Sequence, residues 1–179
     1  MYKLGGVLVA REQIRAMVHE LAGRINSDYS GSELVIVGVL KGAMTFLSDL
    51  MRELEMPVVI DFIIVSSYGI ETESSGVVLL RKDVDANIEG KHVLIVEDLI
   101  DTGLTLKFLK ELFWTKKPAS LRICAAFDKP ARRKVPLEVE YTGICLGDSF
   151  IVGYGLDYVG LYRNLPDVRE MVDDQGDDA

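Results

Sequence analysis

The sequence predicts an α/β fold, a mostly parallel sheet with helices on both faces. Three observations lead there. Strand-length apolar runs alternate with helical patterns, and several of these runs are apolar at every position, as strands covered on both sides require. Charged residues then collect just past three of the runs: Lys41 after one, Glu97 and Asp98 after another, Asp128 and Lys129 after a third. In open parallel sheets ligands bind outside the carboxyl ends of the strands, so one edge carries the chemistry.

The elements follow in order. Residues 11–27 place Ile14, Val18, Leu21 and Ile25 on one helical face, with His19 beside it at a surface or boundary position. Leu34 to Leu40 is a continuous apolar strand ending at Lys41-Gly42, and a helical stretch runs from about Ala43 to Glu53. Val58 to Val65 reads as a strand interrupted by Asp61, and Val77 to Leu80 as another. A strand over 92–96 leads to a helix from Gly103 to Trp114, and Leu121 to Phe127 is the next strand. Val139 to Leu146 and the short Phe150-Ile151-Val152 come after the regular alternation has ended, so they are expected to form a flap near the charged edge. With neither an internal repeat nor a linker, one domain is expected over residues 1–179.

Composition limits the possible functions. About half the residues are apolar, which argues against disorder. The net charge is −8, of which the stretch from Asp167 to Ala179 carries −5 (six acids against Arg169), leaving −3 for the rest. Residues 167–179 are therefore expected to be a solvated, poorly ordered acidic tail. An acidic chain without a basic block excludes sequence-independent nucleic-acid binding. Cys124 and Cys145 sit in apolar runs and are expected to be buried free thiols of a reducing compartment. The N-terminal apolar patch Val7 to Ala10 lacks a basic leader, and no run approaches the ~20 apolar residues that span a bilayer. A cytoplasmic protein without a membrane partner is expected.

The most informative stretch is Val93-Leu-Ile-Val-Glu-Asp-Leu-Ile-Asp-Thr-Gly-Leu-Thr105. A buried strand ends in two acids, then turns through a Thr/Gly loop into a helix. Backbone N–H groups of such a loop and the helix N-terminus attract a phosphate, and the carboxylates can accept from sugar hydroxyls or hold a metal. This is the footprint of a ribose 5-phosphate site. A pair of acids at a strand end can also be a solvated helix cap, and Asp101 can cap the following helix.

The motif Val96-Glu-Asp-Leu-Ile-Asp-Thr-Gly-Leu-Thr105 resembles the phosphoribosyl diphosphate signature of type I phosphoribosyltransferases. Leu40-Lys41-Gly42-Ala43 resembles the diphosphate loop of the hypoxanthine-guanine branch, and Ser66-Ser67-Tyr68-Gly69 through Ser74-Ser75-Gly76 resembles its mobile lid. Phe150 to Tyr158 with Arg163-Asn164-Leu165-Pro166 resembles its purine-binding flap. The matches keep the family's order from about residue 38 to 166. Val159-Gly160 and the acidic end past Pro166 depart from the family pattern.

The resemblance implies the type I fold, a mostly parallel sheet with a small hood built from the chain termini. It implies magnesium-dependent transfer of 5-phosphoribose from 5-phosphoribosyl 1-diphosphate to a 6-oxopurine, giving IMP or GMP and diphosphate. Glu97 and Asp98 would accept from the ribose hydroxyls and order the magnesium, partly through water. Asp101 would face purine N7 as proton acceptor, while Thr102, Gly103, Leu104 and Thr105 would bind the 5′-phosphate. Lys41 and Gly42 would hold the diphosphate behind a cis Leu40–Lys41 peptide, with Arg163 reaching it from the flap. Ser67 and Tyr68 would cover it from a lid over Ser66–Gly76, which is otherwise a long hairpin connection.

On the purine side Lys129, a donor of three hydrogen bonds and acceptor of none, favours a 6-oxo over a 6-amino group. Phe150 would stack on the base, unless it is a core aromatic, and Ile151 would meet the base edge. Asp157 would bind magnesium or lie near the purine C2 substituent. A homo-oligomer, dimer or tetramer, is implied as well. Three other readings stand beside this one: a xanthine-guanine transferase, an RNA-binding regulator sharing the donor loop, and a signalling receiver domain. The regulator needs a basic face, and the receiver has no use for Asp-Thr-Gly-x-Thr.

Overall fold

The computed structural model describes residues 2–68 and 77–173, apart from the side chains of Ser67, Tyr68 and Val77. Its elements are β1 (Tyr2–Val9), α1 (Arg11–Asp28), β2 (Leu34–Leu40), α2 (Met44–Leu50), β3 (Val58–Tyr68), β4 (Val77–Lys82), β5 (His92–Ile100), α3 (Leu104–Thr115), β6 (Ser120–Asp128), β7 (Tyr141–Cys145), β8 (Ile151–Val152) and β9 (Val168–Asp173). One sheet has the order β4-β3-β2-β5-β6-β7, parallel except for β4. A second, three-stranded sheet in the order β1-β9-β8 forms the hood.

The uniform hydrophobicity of β2 and β5 has the expected cause. Leu34, Ile36, Leu94 and Val96 face a core shared with α1 and α2, whereas Val35, Val37, Val93 and Ile95 face one shared with α3. Alternate side chains of a strand point to opposite faces, so a strand covered twice must be apolar at every residue. The sheet therefore sits between two packed layers, with the carboxyl ends of β2, β5 and β6 along one edge.

The interruption at Asp61 is also explained. Its carboxylate accepts from the backbone N–H groups of Asp85 and Ala86, each at 2.7 Å, and of Phe62 at 2.6 Å, with Lys82 nearby at 3.8 Å. A buried acid mid-strand is thus the anchor for the turn that follows β4.

Three expectations need correction. β7 is no flap strand; it pairs parallel with β6 at the edge of the main sheet. The stretch from Asp167 is not all loose tail, because Val168–Asp173 is β9 and lies between β1 and β8 with Val168 and Met171 buried. Partners more than 160 residues apart, Tyr2 opposite Asp173, leave no local signal of this pairing. Cys145 is exposed, only Cys124 being buried, and both are free thiols. Of the expected lid, Ser66 to Tyr68 form the end of β3 and pair with β4, and residues 69–76 lie outside the described residues.

Candidate active site

The Leu40–Lys41 peptide that ends β2 is cis, as expected. Gly42, two residues after Leu40, is buried against β5. A Cβ on Gly42 would lie 1.7 Å from Asp98 Oδ2, so a side chain there would displace that carboxylate. Lys41 itself is exposed beside this contact.

β5 continues to Ile100, which puts Glu97 and Asp98 within its last residues instead of just past them. Glu97 is buried, 7 % exposed, and the two carboxyls lie next to each other. Burial first, then the Asp98 charge, push the Glu97 carboxyl well above its ordinary range. Burial raises Asp98 too, against a hydrogen bond with Glu97 and the more distant Arg163 charge.

Past the strand, Asp101, Thr102 and Gly103 form the turn into α3, with Gly103 at φ +82° as its N-cap and Leu104 as its first residue. Only glycine takes that backbone readily. The Thr102 hydroxyl meets the Leu104 N–H at 3.4 Å, and first-turn N–H groups that lack helical partners are free for an anion. A cavity of about 440 Å³ is lined by Gly42, Glu97, Asp98, Asp101, Thr102, Gly103, Thr105, Asp157 and Arg163. Residues expected from three separate segments thus line one cavity.

Arg163 and Asp157 come from the flap. The Arg163 guanidinium pairs with Asp157 Oδ1 at 2.5 Å and donates to the Gly155 carbonyl at 2.6 Å. Asp157 Oδ2 accepts from the Gly160 N–H at 2.7 Å. Gly155, at φ +98°, rests on the Gly42 carbonyl so closely that a Cβ would be 2.2 Å away. Tyr154 donates from its hydroxyl to Asp49 at 2.8 Å. The flap is therefore fastened to the loop after β2 and to α2.

The purine-side residues sit next to this cavity rather than in its wall. Lys129, at the end of β6, is 5 % exposed and donates from Nζ to the Ser149 carbonyl at 2.6 Å. Burial lowers its ammonium pKa, and the Asp101 charge opposes that. Phe150 is half exposed, so it is no core aromatic; its ring stands 5.9 Å from Tyr2 and 5.7 Å from Tyr158. Ile151 is buried in β8. Ser67 and Tyr68 have their backbone in β3, and their side chains lie outside the described residues.

Sequence reasoning missed the partners of Asp101. Arg132 Nε donates to it, and Arg132 Nη1 donates to Asp148 at 2.9 Å. Ala131-Arg132-Arg133-Lys134 reads in isolation as a solvated basic stretch, and no local pattern ties it to a loop thirty residues earlier.

Oxygen donors suit a hard cation such as magnesium. Two adjacent carboxyls raised by burial, Glu97 also by the Asp98 charge, fit a group that brings positive charge. Among the described residues, no three His, Cys, Asp or Glu side chains gather closely enough to cage an ion.

A phosphoribosyl transferase domain model matches residues 8–159. The hypoxanthine-guanine phosphoribosyltransferase of Bacillus subtilis is 45 % identical over 160 residues, 89 % of each chain. The hypoxanthine phosphoribosyltransferase of Salmonella typhimurium is 45 % identical over 168 residues, 93 % of this chain and 94 % of that one. A crystal structure of a hypoxanthine-guanine phosphoribosyltransferase from Bacillus anthracis superposes with a TM-score of 0.90 at 47 % identity, covering 97 % of this chain and 100 % of the other.

Proposed function

The chain belongs to the phosphoribosyl transferase family, and from that membership we propose that it is a purine-salvage enzyme. It transfers 5-phosphoribose from 5-phosphoribosyl 1-diphosphate to hypoxanthine and to guanine, giving IMP or GMP and diphosphate. The observation that carries this reading is the shared cavity, lined by the carboxylates, the phosphate loop and Arg163, with Lys129 close enough to feel the Asp101 charge.

The C1′–O bond to diphosphate breaks and C1′–N9 forms, with positive charge developing on the ribose ring. Thr102, Gly103, Leu104 and Thr105 hold the 5′-phosphate at the start of α3. Glu97 and Asp98 accept from the ribose 2′ and 3′ hydroxyls and keep a negative environment under the ring. Lys41, Gly42 and Arg163 bind the diphosphate, with Ser67 and Tyr68 covering it. Lys129 donates to O6 of the base, Phe150 stacks on its face, and Ile151 meets its edge. Asp101 accepts the proton from the imidazole side of the purine. Glu97, Asp98 and Asp157 would hold magnesium, and the ion would supply positive charge to balance that of the departing diphosphate.

No helix among the described residues is long and apolar enough to cross a membrane, and both cysteines are unbridged; a cytoplasmic location fits these facts. A homodimer or homotetramer, acting without nucleic acid, completes the proposal. The test is diphosphate release with donor and magnesium, comparing hypoxanthine, guanine, xanthine and adenine. Saturable turnover with the first two is expected; absence of turnover with every base overturns the reading.

A further inference from the structure

Three consecutive residues after β6 hold three consecutive residues of the donor loop. Arg132 Nε donates to Asp101 Oδ1. The Lys134 N–H donates to the Thr102 carbonyl at 2.9 Å. Arg133 lies against Gly103, where a Cβ would come within 2.9 Å of its Cδ and 3.3 Å of its Nη1. Gly103 lines the cavity and Arg133 does not, so the arginine braces the loop from behind.

The brace is itself held in place. Arg133 Nη2 donates to the buried Asp128 at 2.6 Å, Arg132 Nη1 reaches Asp148, and the Lys129 N–H bonds the Ile100 carbonyl at 2.9 Å. Arg133 Nη1 is buried and finds no hydrogen-bond partner among the described residues. An N–H of a guanidinium left unpaired away from water is costly. This Nη1 lies 3.3 Å from where a Cβ on Gly103 would stand, so the unpaired donor packs directly behind the loop.

We propose that Arg132 and Arg133 are positioning residues of the transfer reaction with divided duties: Arg132 aims the carboxylate of Asp101, and Arg133 holds Gly103 and its phosphate-binding neighbours in shape. This rests on reading Asp101 as the proton acceptor and 102–105 as the phosphate loop. A misplaced general base lowers turnover, whereas a loosened phosphate loop weakens donor binding, so the two substitutions separate in kinetics.

The test is steady-state kinetics in donor at saturating hypoxanthine for Arg132→Gln, Arg133→Met, Arg133→Lys and Asp101→Asn, with melting temperatures alongside. Arg133→Met is expected to raise the donor KM about tenfold and change kcat by less than about threefold. Arg132→Gln is expected to lower kcat about tenfold with the donor KM held within about threefold. If Arg133→Met does not fold, Arg133→Lys, which keeps the charge and loses the fork, is read by the same criterion. Unchanged constants, or both substitutions altering the same constant, overturn the proposal. If Asp101→Asn turns over like the parent, the proton-acceptor reading itself is wrong. If Asp101→Asn fails and Arg132→Gln does not, only the positioning role is lost.

Discussion

At the scale of single residues, the site trades stability for chemistry. Glu97 and Asp98 are raised above the ordinary carboxylate range, chiefly by burial. A carboxyl whose folded pKa exceeds its unfolded value favours the folded chain while protonated, and that contribution is lost as pH rises through the raised value. Glu97→Gln is therefore expected to be more stable than the parent at neutral pH, by a margin that shrinks toward pH 4, and nearly inactive. Thermal melts across pH, paired with an activity assay, check both halves; a variant less stable at neutral pH contradicts the account. Lys129 makes a second case. Its ammonium is buried and committed to donation, so Lys129→Ala should cut kcat/KM for hypoxanthine by about 10- to 100-fold. Adenine, which offers no acceptor at C6, should gain relative to it. Competition assays with the two bases measure this.

At the scale of elements, two features look like faults in the sequence and are supports in the structure. Asp61 breaks an apolar strand because three backbone N–H groups converge on it. Burial pushes its carboxyl up, yet those bonds and Lys82 win and hold it below the ordinary value. Its stabilising effect is thus present above the unfolded pKa of about 3.9 and lost as pH falls through the lower folded one. Asp61→Asn should cost about 1–3 kcal/mol at neutral pH and reduce the acid sensitivity of unfolding, as urea titrations at pH 3 and 7 would reveal. The acidic end is the second feature. Because β9 is the middle strand of the hood, ending the chain after Asp167 should lower the melting temperature by several degrees and expose β1 and β8 edges. A truncated chain melting with the parent would mean that the hood adds nothing to stability.

At the scale of the whole molecule, the sheet edge assembles charges that repel until a ligand arrives. Donor and magnesium together should raise the melting temperature, the shift corresponding to about 2.7 kcal/mol at a donor concentration 100 times its Kd. Differential scanning fluorimetry with donor alone, magnesium alone and both should show the largest shift for the pair. Equal shifts for donor with and without the metal would remove magnesium from the carboxylates. The two cores, one under α1 and α2 and the other under α3, make this edge rigid enough for ligand binding to act on the folded state as a unit.

The sequence alone determined the parallel sheet, the edge that binds and the strand-to-loop motif at 93–105, because each is written in neighbouring residues. Hydrophobic runs, a Thr/Gly turn and a helix start need no distant partner to be legible. The resemblance gave Lys41 and Lys129 their roles and added Arg163. Tertiary structure decided the rest: that β1 and β9 close a hood, that β7 joins the sheet, that Gly155 must lack a side chain, and that Arg132 and Arg133 stand behind Asp101 and Gly103. These depend on contacts between segments far apart in the chain. Such contacts are set by packing and charge in three dimensions, and no local pattern of residues encodes them.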